Sequence, residues 1–225
     1  MNFVHLHTHS HYSLLDGLTK IDGLVAKAKE YNMTSLALTD HGNLYGAVEF
    51  YKKAKEAGIK PIIGLEAYLT SDSLRKKDQK SQNKLYHLIL LAENLEGYKN
   101  LIKLVTISHL EGFYYKPRLD KPTIAKHSKG LIALTSCLAG EISQALLNND
   151  FQKAETLALE YQNIFGKENF FIEISHHPGT KDHIRVQEEL VKLAGKLNLP
   201  LVATQDIHYL NKEAKEAQDI LLAVQ

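Results

Sequence analysis

Histidines at alternate positions dominate the first stretch of the chain. Residues 3–11 read FVHLHTHSH and contain four of them, His5, His7, His9 and His11. Residues two apart share one face of a β-strand, so a strand here would align the imidazoles and turn Val4 and Leu6 to the other side. A row of imidazoles packs poorly as a hydrophobic core, whereas neutral imidazole nitrogen is a common ligand of transition metals. The stretch therefore predicts a first strand that begins a metal site with His7 and His9.

Other metal-binding side chains follow predicted strands elsewhere in the chain. A lone histidine is most often a surface residue or a hydrogen-bonded core residue, but recurrence at the ends of separate strands favours ligands. The residues at strand ends are Asp40, His41, Glu66, Cys137, Asp206 and His208, and His87 lies near a strand start. One zinc ion is satisfied by about four ligands, so this set offers too many donors for a single ion. The mixture of donors predicts two or three divalent ions, for which zinc, manganese and iron are all suitable.

Size and composition are typical of one globular domain. The chain has 225 residues, of which 44% are hydrophobic and 24% are charged, and a single α/β domain often reaches this length. No apolar run approaches the roughly 18 residues of a membrane span, and the first residues lack the basic and apolar regions of a signal peptide. Cys137 is the single cysteine, which excludes an internal disulfide and fits a reducing compartment. We therefore expect a cytoplasmic protein that does not enter a membrane.

The charge balance limits nucleic-acid binding to local contacts. A formal net charge of +1 gives no global attraction to a polyanion. The segment 112–120 mixes aromatic and cationic residues, and Tyr115, Lys116 and Arg118 are candidates for base stacking and phosphate pairing. A solvated loop with packed tyrosines explains the same pattern equally well. The basic residues 75–77, within the polar stretch 71–83, would guide a strand toward the metals, although a charge run is usually only solvated.

The order of strands and helices predicts a barrel. Predicted strands cover 3–11, 33–39, 59–65, 87–92, 130–135, 169–175 and 200–204. Predicted helices cover 18–31, 44–57, 96–111, 121–127, 140–148, 150–165, 180–198 and 211–224. This rhythm indicates an α/β fold with a parallel sheet and right-handed crossovers. A closed (β/α) barrel is favoured over an open sheet, because the candidate ligands follow the strands and no glycine-rich phosphate loop follows the first one. His87 is the exception, and its strand boundary would have to be misplaced.

The candidate ligands favour phosphoester hydrolysis. Metal ions roughly 3.5 to 4 Å apart lower the pKa of a bound water toward about 7 and clamp the attacking and leaving oxygens of a phosphate ester. A carboxylate such as Glu66 is able to bridge two ions.

Five stretches of the chain carry a family resemblance. They are FVHLHTHSHYSLLDG, LALTDHGNLYGAVEFYKKAKEAGIKPIIGLEAY, HLILLAENLEGYKNL, GFYYKPRLD and LPLVATQDIHYLNKEAKEAQDILLAVQ. Over essentially the whole chain they resemble the PHP domain (polymerase and histidinol phosphatase) at the N-terminus of the bacterial DNA polymerase III alpha subunit. The HxH and DxH motifs indicate the superfamily, and the intervening stretches indicate the replicative polymerase branch. The resemblance implies that residues 1–225 are a single PHP domain of a longer polymerase, whose polymerase domains are absent from this chain.

The resemblance also implies a detailed site. The fold would be a distorted seven-stranded (β/α)7 TIM-like barrel with a trinuclear metal cluster. One ion would be held by His7, His9, Glu66 and Asp206, a second by Glu66, His87 and Cys137, and a third by Asp16, His41 and His208. All nine positions carry a competent ligand in this chain. The implied activity is a metal-dependent 3′→5′ exonuclease that proofreads the 3′ end of a DNA primer, with His7, His9, Glu66 and Asp206 acting through the metals.

Two other functions stay open at this point. The domain would be a structural module that stabilises the rest of the polymerase alpha subunit and docks a separate exonuclease subunit or other replisome components, with metal serving the fold. Alternatively, it would be a histidinol-phosphate-type phosphatase, which the polymerase-like stretches disfavour. The ending DILLAVQ is typical of a helix that continues into a longer chain. No polymerase active-site carboxylates of the family occur here, so we do not expect this chain to synthesise DNA by itself.

Overall fold

The described part of the chain contains seven strands in one sheet. The computed structural model describes residues 3–74, 76–77, 85–177 and 179–224. Residue 75 of the basic segment and residues 78–83 of the polar stretch therefore lie outside the described residues. The strands are β1 Ser35–Leu38, β2 Lys60–Thr70, β3 Leu85–Ala92, β4 Arg118–Leu119, β5 Leu131–Leu134, β6 Phe170–Ile174 and β7 Leu201–Ala203. Their order is β1-β2-β3-β5-β6-β7, and β4 pairs with β2.

The α-helices alternate with the strands much as the apolar periodicity predicts. They are α1 Ile21–Glu30, α2 Ala47–Glu56, α3 Leu95–Leu110, α4 Lys121–Lys126, α5 Glu141–Leu147, α6 Phe151–Phe165, α7 His183–Leu197 and α8 Lys215–Leu222. Three of them begin at Asn94, Asp120 and Asp150, whose side chains accept an amide hydrogen bond from the first helical turn. Among the described helices, none combines the length and the apolar character that a membrane crossing requires.

The first stretch of the chain joins the two ends of the sheet. The amide of Ala37 in β1 donates to His5 O at 2.9 Å. On the other side, the amide of His9 donates to Ile207 O at 2.8 Å, just after β7. Thr8 forms a single parallel bridge with Ile207. The stretch thus lies between β1 and the end of β7, where the first strand of a barrel would lie.

The prediction that residues 3–11 form a regular strand is nevertheless wrong. Two amides of the stretch donate to side chains instead of a neighbouring backbone, Thr8 N to Thr39 Oγ1 and Ser10 N to Asp40 Oδ1. A continuous ladder needs those amides, so only isolated bridges form. The mixed α/β fold therefore has a curled half-barrel sheet, and the predicted fully closed (β/α)7 TIM-like barrel is only partly confirmed.

The direction of β3 contradicts the prediction of an all-parallel sheet. β3 runs antiparallel to both β2 and β5. β2 continues to Thr70, and no helix among the described residues separates it from β3, so the chain returns along its own neighbour. The beginning of β3 consequently lies at the edge where the parallel strands end. His87 reaches that edge because its strand is reversed, and not because its boundary was misplaced.

Alternate residues of the central strands face two different cores. On β3, Leu88 and Leu90 belong to the large cluster between the sheet and the helices, whereas Ile89 and Leu91 belong to a small cluster on the other face. Burial of each such side chain contributes about 1.5–3 kcal/mol relative to its exposure. His87 shares the face of Ile89 and Leu91. This small inner core therefore supports the histidine and carboxylate side chains at the edge of the sheet.

Candidate metal centre

Four side chains converge at this edge and form what we call the inner group: His7, His9, Glu66 and Asp206. His7 Nε2 lies 3.2 Å from Glu66 Oε1 and 3.1 Å from Asp206 Oδ1. His9 Nε2 lies 3.5 Å from Glu66 Oε2 and 3.4 Å from Asp206 Oδ1. Asp206 has a φ of 50°, a left-handed conformation in which aspartate is enriched among non-glycine residues. That turn after β7 places its carboxylate between the two imidazoles.

These separations match the edges of a metal coordination sphere. Tetrahedral bonds of about 2.0–2.2 Å place neighbouring ligand atoms about 3.3–3.6 Å apart. Four buried atoms of the inner group form no hydrogen bond of good geometry among the described residues, although they lie close to one another and Glu66 Oε2 lies close to His41 Nδ1: His7 Nε2, His9 Nε2, Glu66 Oε2 and Asp206 Oδ1. Buried polar atoms without a partner are rare and costly. One divalent cation would satisfy all four, so the residues present fit a metal ion.

A buried carboxylate orients His7. The imidazole Nδ1–H of His7 donates to Glu173 Oε1 at 2.8 Å, and Thr204 Oγ1 donates to the same oxygen at 2.5 Å. This bond fixes the His7 tautomer that presents Nε2 to the inner group. Glu173 is not among the residues predicted from the sequence. The signal was present, because Glu173 is a lone carboxylate inside the apolar strand FFIEI.

A second hydrogen-bond chain orients His9. Ser13 Oγ donates to Asp40 Oδ1 at 2.8 Å, so its oxygen accepts from His9 Nδ1–H at 2.8 Å. Ser10 Oγ donates to the other oxygen of Asp40 at 2.8 Å. Asp40, which the sequence analysis grouped with the candidate ligands, thus binds serines behind His9. Its role here is to hold the ligand and not to face the metal position.

Three residues form what we call the outer group: Asp16, His41 and His208. His41 Nε2 lies 3.0 Å from Asp16 Oδ2. The rings of His41 and His208 each lie 4.2 Å from the ring of His9, and one nitrogen of each of these three histidines lies within 4.8 Å of the others. The outer group therefore adjoins the inner group at His9. Glu66 contacts both groups, because its Oε2 lies 2.6 Å from His41 Nδ1.

His87 and Cys137 lie on the third side of Glu66. His87 Nδ1 lies 3.0 Å from Glu66 Oε1, and His41, Glu66 and His87 form one of the compact ligand groups. Ser136 Oγ donates to the same Glu66 oxygen at 2.7 Å, and Cys137 is the next residue in the chain. Burial, followed by the nearby carboxylates of Asp206 and Glu66, raises the pKa of the Cys137 thiol. A neighbouring cation would be needed to favour the thiolate form of this cysteine.

Burial and charge act in opposite directions on neighbouring imidazoles. Burial and the adjacent His41 lower the pKa of His9 to about 3. Burial alone would lower the pKa of His41 too, but the carboxylates of Glu66 and Asp16 outweigh it and raise that pKa to about 10. The pKa of His7 is likewise raised, since Asp206, Glu173 and Glu66 outweigh its burial. Protons on His7 and His41 would thus neutralise these carboxylates, and a bound metal ion would take over that charge.

The candidate DNA contacts occupy different environments. Arg118 is completely buried, and its guanidinium donates to the carbonyl oxygens of Gly112, Leu74 and Lys76. This placement contradicts the prediction that Arg118 contacts DNA, because its donors serve the loop itself.

Lys116 and Tyr115 remain exposed, and Lys116 lies near the outer group through Tyr68. Lys116 Nζ lies 5.3 Å from the centre of the Tyr68 ring, and Tyr68 stacks on His41 at 5.7 Å. Tyr115 is 66% exposed. Their accessibility keeps both residues as candidates for contacting a DNA strand.

Sequence comparison places the chain among replicative polymerase relatives. A profile of the PHP domain matches residues 5–177. The DNA polymerase III subunit alpha of Borreliella burgdorferi is 52% identical over 99% of this chain and 19% of its own length. Those of Treponema pallidum and Thermus aquaticus are each 46% identical over 100% of this chain and 19% of their own lengths. The chain thus spans about a fifth of the length of these curated relatives.

Solved structures share the fold at low sequence identity. An amidohydrolase from Chromobacterium violaceum superposes with a TM-score of 0.55 at 15% identity, covering 97% of this chain and 96% of the other. A two-domain Bacteroides vulgatus protein, described as containing a predicted PHP-like metal-dependent phosphoesterase, gives 0.51 at 16% identity, covering 91% and 51%. These likenesses support the fold alone, whereas the profile match covers most of the chain. The chain belongs to the PHP domain family.

Proposed function

We propose that residues 1–225 form the PHP domain of a DNA polymerase III alpha subunit and act as a metal-dependent 3′→5′ exonuclease on a DNA primer. The observation that carries this proposal is the convergence of buried, unpartnered imidazole and carboxylate atoms at coordination distances from one another. Such a donor set suits two or three divalent ions such as zinc, manganese or iron. The direction of cleavage rests on the family resemblance.

The three proposed ligand sets lie around Glu66, which belongs to two of them and contacts His41 of the third. His7, His9, Glu66 and Asp206 would hold one ion, and Glu66, His87 and Cys137 a second. Asp16, His41 and His208 would hold a third. The compact group of His7, His9 and Glu66 supports the first set, whereas the other two compact groups join ligands of different sets through His9, His41 and Glu66. Asp16, Asp206 and Cys137 belong to none of those groups, but Asp16 and Asp206 lie 3.0 Å and 3.1 Å from a proposed ligand histidine, which leaves Cys137 the least supported ligand.

The side chains of the site supply position and charge. When bound, paired divalent ions would lower the pKa of a water and neutralise charge that develops on the scissile phosphate. Glu173 and Ser13 hold the His7 and His9 rings, so these ligands need little reorganisation. Lys116, exposed over Tyr68, is placed to pair with a phosphate of the incoming strand.

The remaining partners are proposed from the relatives. Their names describe subunit alpha of DNA polymerase III, and they are about five times longer than this chain. We infer that the chain works with the rest of such a subunit and with a DNA primer 3′ end. A separate exonuclease subunit and other replisome components are further proposed partners.

The test combines metal content with cleavage. The purified chain, loaded with zinc or manganese, is expected to hold two or three ions and to release mononucleotides from a mispaired, 3′-labelled primer. His9→Ala and Asp206→Ala should lose both properties. His127→Ala, which removes a histidine at the C-terminal end of α4 outside all three ligand sets, should keep both.

Three results would redirect the proposal. Stoichiometric metal without cleavage under any divalent ion would favour the structural module. Rapid hydrolysis of small phosphomonoesters without cleavage of DNA would favour a phosphatase. Cleavage that survives both substitutions would come from a contaminating nuclease.

A further inference from the structure

A cavity of about 550 Å³ opens beside the outer group. Part of its lining consists of the proposed ligands Asp16, Asp206 and His208. The C-terminal helix α8 supplies another part, including Gln218 and Leu222. Sites for small molecules commonly enclose roughly 300–1,000 Å³. The cavity therefore has room for a group much larger than water directly beside the proposed metal ions.

Gln218 presents an unmatched acceptor in this lining. The side chain is 4% exposed, and its Nε2 donates to Asp16 O at 2.5 Å. That bond sets the orientation of the amide, since a reversed amide would bring two oxygens together. Its Oε1 is buried without a hydrogen-bond partner among the described residues. Because this oxygen is also closed to solvent, a ligand hydroxyl or amino group in the cavity would reach it after a change of the Gln218 rotamer.

The charge of the lining fits an uncharged group. Lys215 is the lysine that lines the cavity, and its Nζ already pairs with Asp219 Oδ2 at 2.5 Å. Asp16 and Asp206 add negative charge on the metal side. The carboxylates would repel a phosphate inside the cavity. They would not repel a neutral sugar and base there when the phosphate of the same nucleotide lies at the proposed metal ions.

Two side chains provide surface for a base. Tyr209 is half-buried and Leu222 is 44% exposed, and both line the cavity. Nucleic-acid bases gain about 1–3 kcal/mol from stacking on aromatic side chains. The lining thus offers an acceptor for a sugar hydroxyl or a base amino group and an apolar surface for the base.

We propose that this cavity, which we call the α8 cavity, binds the nucleoside of the strand's terminal nucleotide while its phosphate lies at the metal ions. The proposal rests on the proposed function for the position of the phosphate. It assigns Gln218, Tyr209 and Leu222 to recognition of the nucleoside. The C-terminal helix then forms part of the substrate site.

The test measures binding rather than turnover. The zinc- or manganese-loaded chain is titrated by calorimetry with deoxyadenosine 5′-monophosphate and, separately, with inorganic phosphate. Leu222→Trp fills the cavity from a partly exposed position, so it should fold normally. We expect it to weaken nucleotide binding by about tenfold, because the indole occupies the space proposed for the base, and to change phosphate binding by less than about twofold. Ile220→Trp, the same replacement at a 64% exposed position of α8 outside the lining, is the control.

The outcomes separate this inference from the exonuclease proposal. Loss of nucleotide affinity in Leu222→Trp alone supports the α8 cavity, even if no DNA is cleaved. Equal nucleotide affinity in the parent and both variants overturns it, even if cleavage persists. A parent that binds the nucleotide no more tightly than inorganic phosphate overturns it as well.

Discussion

The inner and outer groups place similar side chains in different surroundings. In the inner group, His7 and His9 are fully buried, and each has a fixed partner behind its ring. In the outer group, Asp16 and His208 are 19% and 22% exposed. His208 Nδ1 lies 3.1 Å from the backbone oxygen of Asp206 and 3.5 Å from Asp206 Oδ1. The proposed inner metal position is therefore the more firmly held and the proposed outer one the more exposed, although Asp206 of the inner group is itself 16% exposed.

Loss of Glu66 should affect the inner and outer groups alike, because Glu66 contacts residues of both. We expect Glu66→Ala to lose metal from both and to lower the rate of strand cleavage by about a thousandfold, equivalent to about 4 kcal/mol. Elemental analysis and primer degradation measure these two effects. Glu168→Ala, which removes an exposed carboxylate, is the control. Retention of full metal content by Glu66→Ala would falsify the bridging role.

Glu173→Gln should affect the inner group alone. The substitution keeps the shape of the side chain but removes the charge that polarises His7. Changes in such partners typically cost about 10–100-fold in metal affinity. We expect a loss of this size in competition with a chelator, for one ion only. An equal loss for every bound ion would contradict the separation of the two groups.

Acid should weaken metal binding, because protons and metal ions compete for the same atoms. The pKa of His41 is raised from 6.5 to about 10 in the metal-free chain, so its proton stabilises that fold most below pH 6.5, and this contribution fades toward pH 10. Metal binding must displace the proton, which becomes easier as the pH rises. The increase in Tm on adding zinc should therefore widen from pH 6 to pH 8. A constant increase would show that no proton leaves the site.

Sequence patterns predict which proposed ligands come together better than they predict the residues that support them. His7, His9 and Asp206, which follows β7, meet at one edge of the sheet as predicted, but Glu66, predicted at a strand end, lies inside β2 level with His41. The antiparallel direction of β3 was not foreseen, since residues 71–84 carry no strand or helix pattern that reveals a return. Glu173 was missed because one carboxylate in an apolar strand is also typical of an edge residue. Arg118 was misassigned because burial of a guanidinium depends on backbone oxygens brought in by distant segments.

The smallest effect is expected at Lys116, which lies beyond the outer group. Its ammonium is exposed over Tyr68 and does not contact a proposed ligand, so Lys116→Ala should leave metal content and kcat unchanged. Loss of one phosphate contact should raise KM for a single strand by about threefold and reduce the slope of log affinity against log salt by about 0.7. Lys99→Ala, at an exposed position on α3, should change neither quantity. If both lysine variants give the same salt slope, Lys116 does not contact the strand, and the strand approaches the proposed metal ions from another side. The α8 cavity, which adjoins the outer group, would then be the surface to test next.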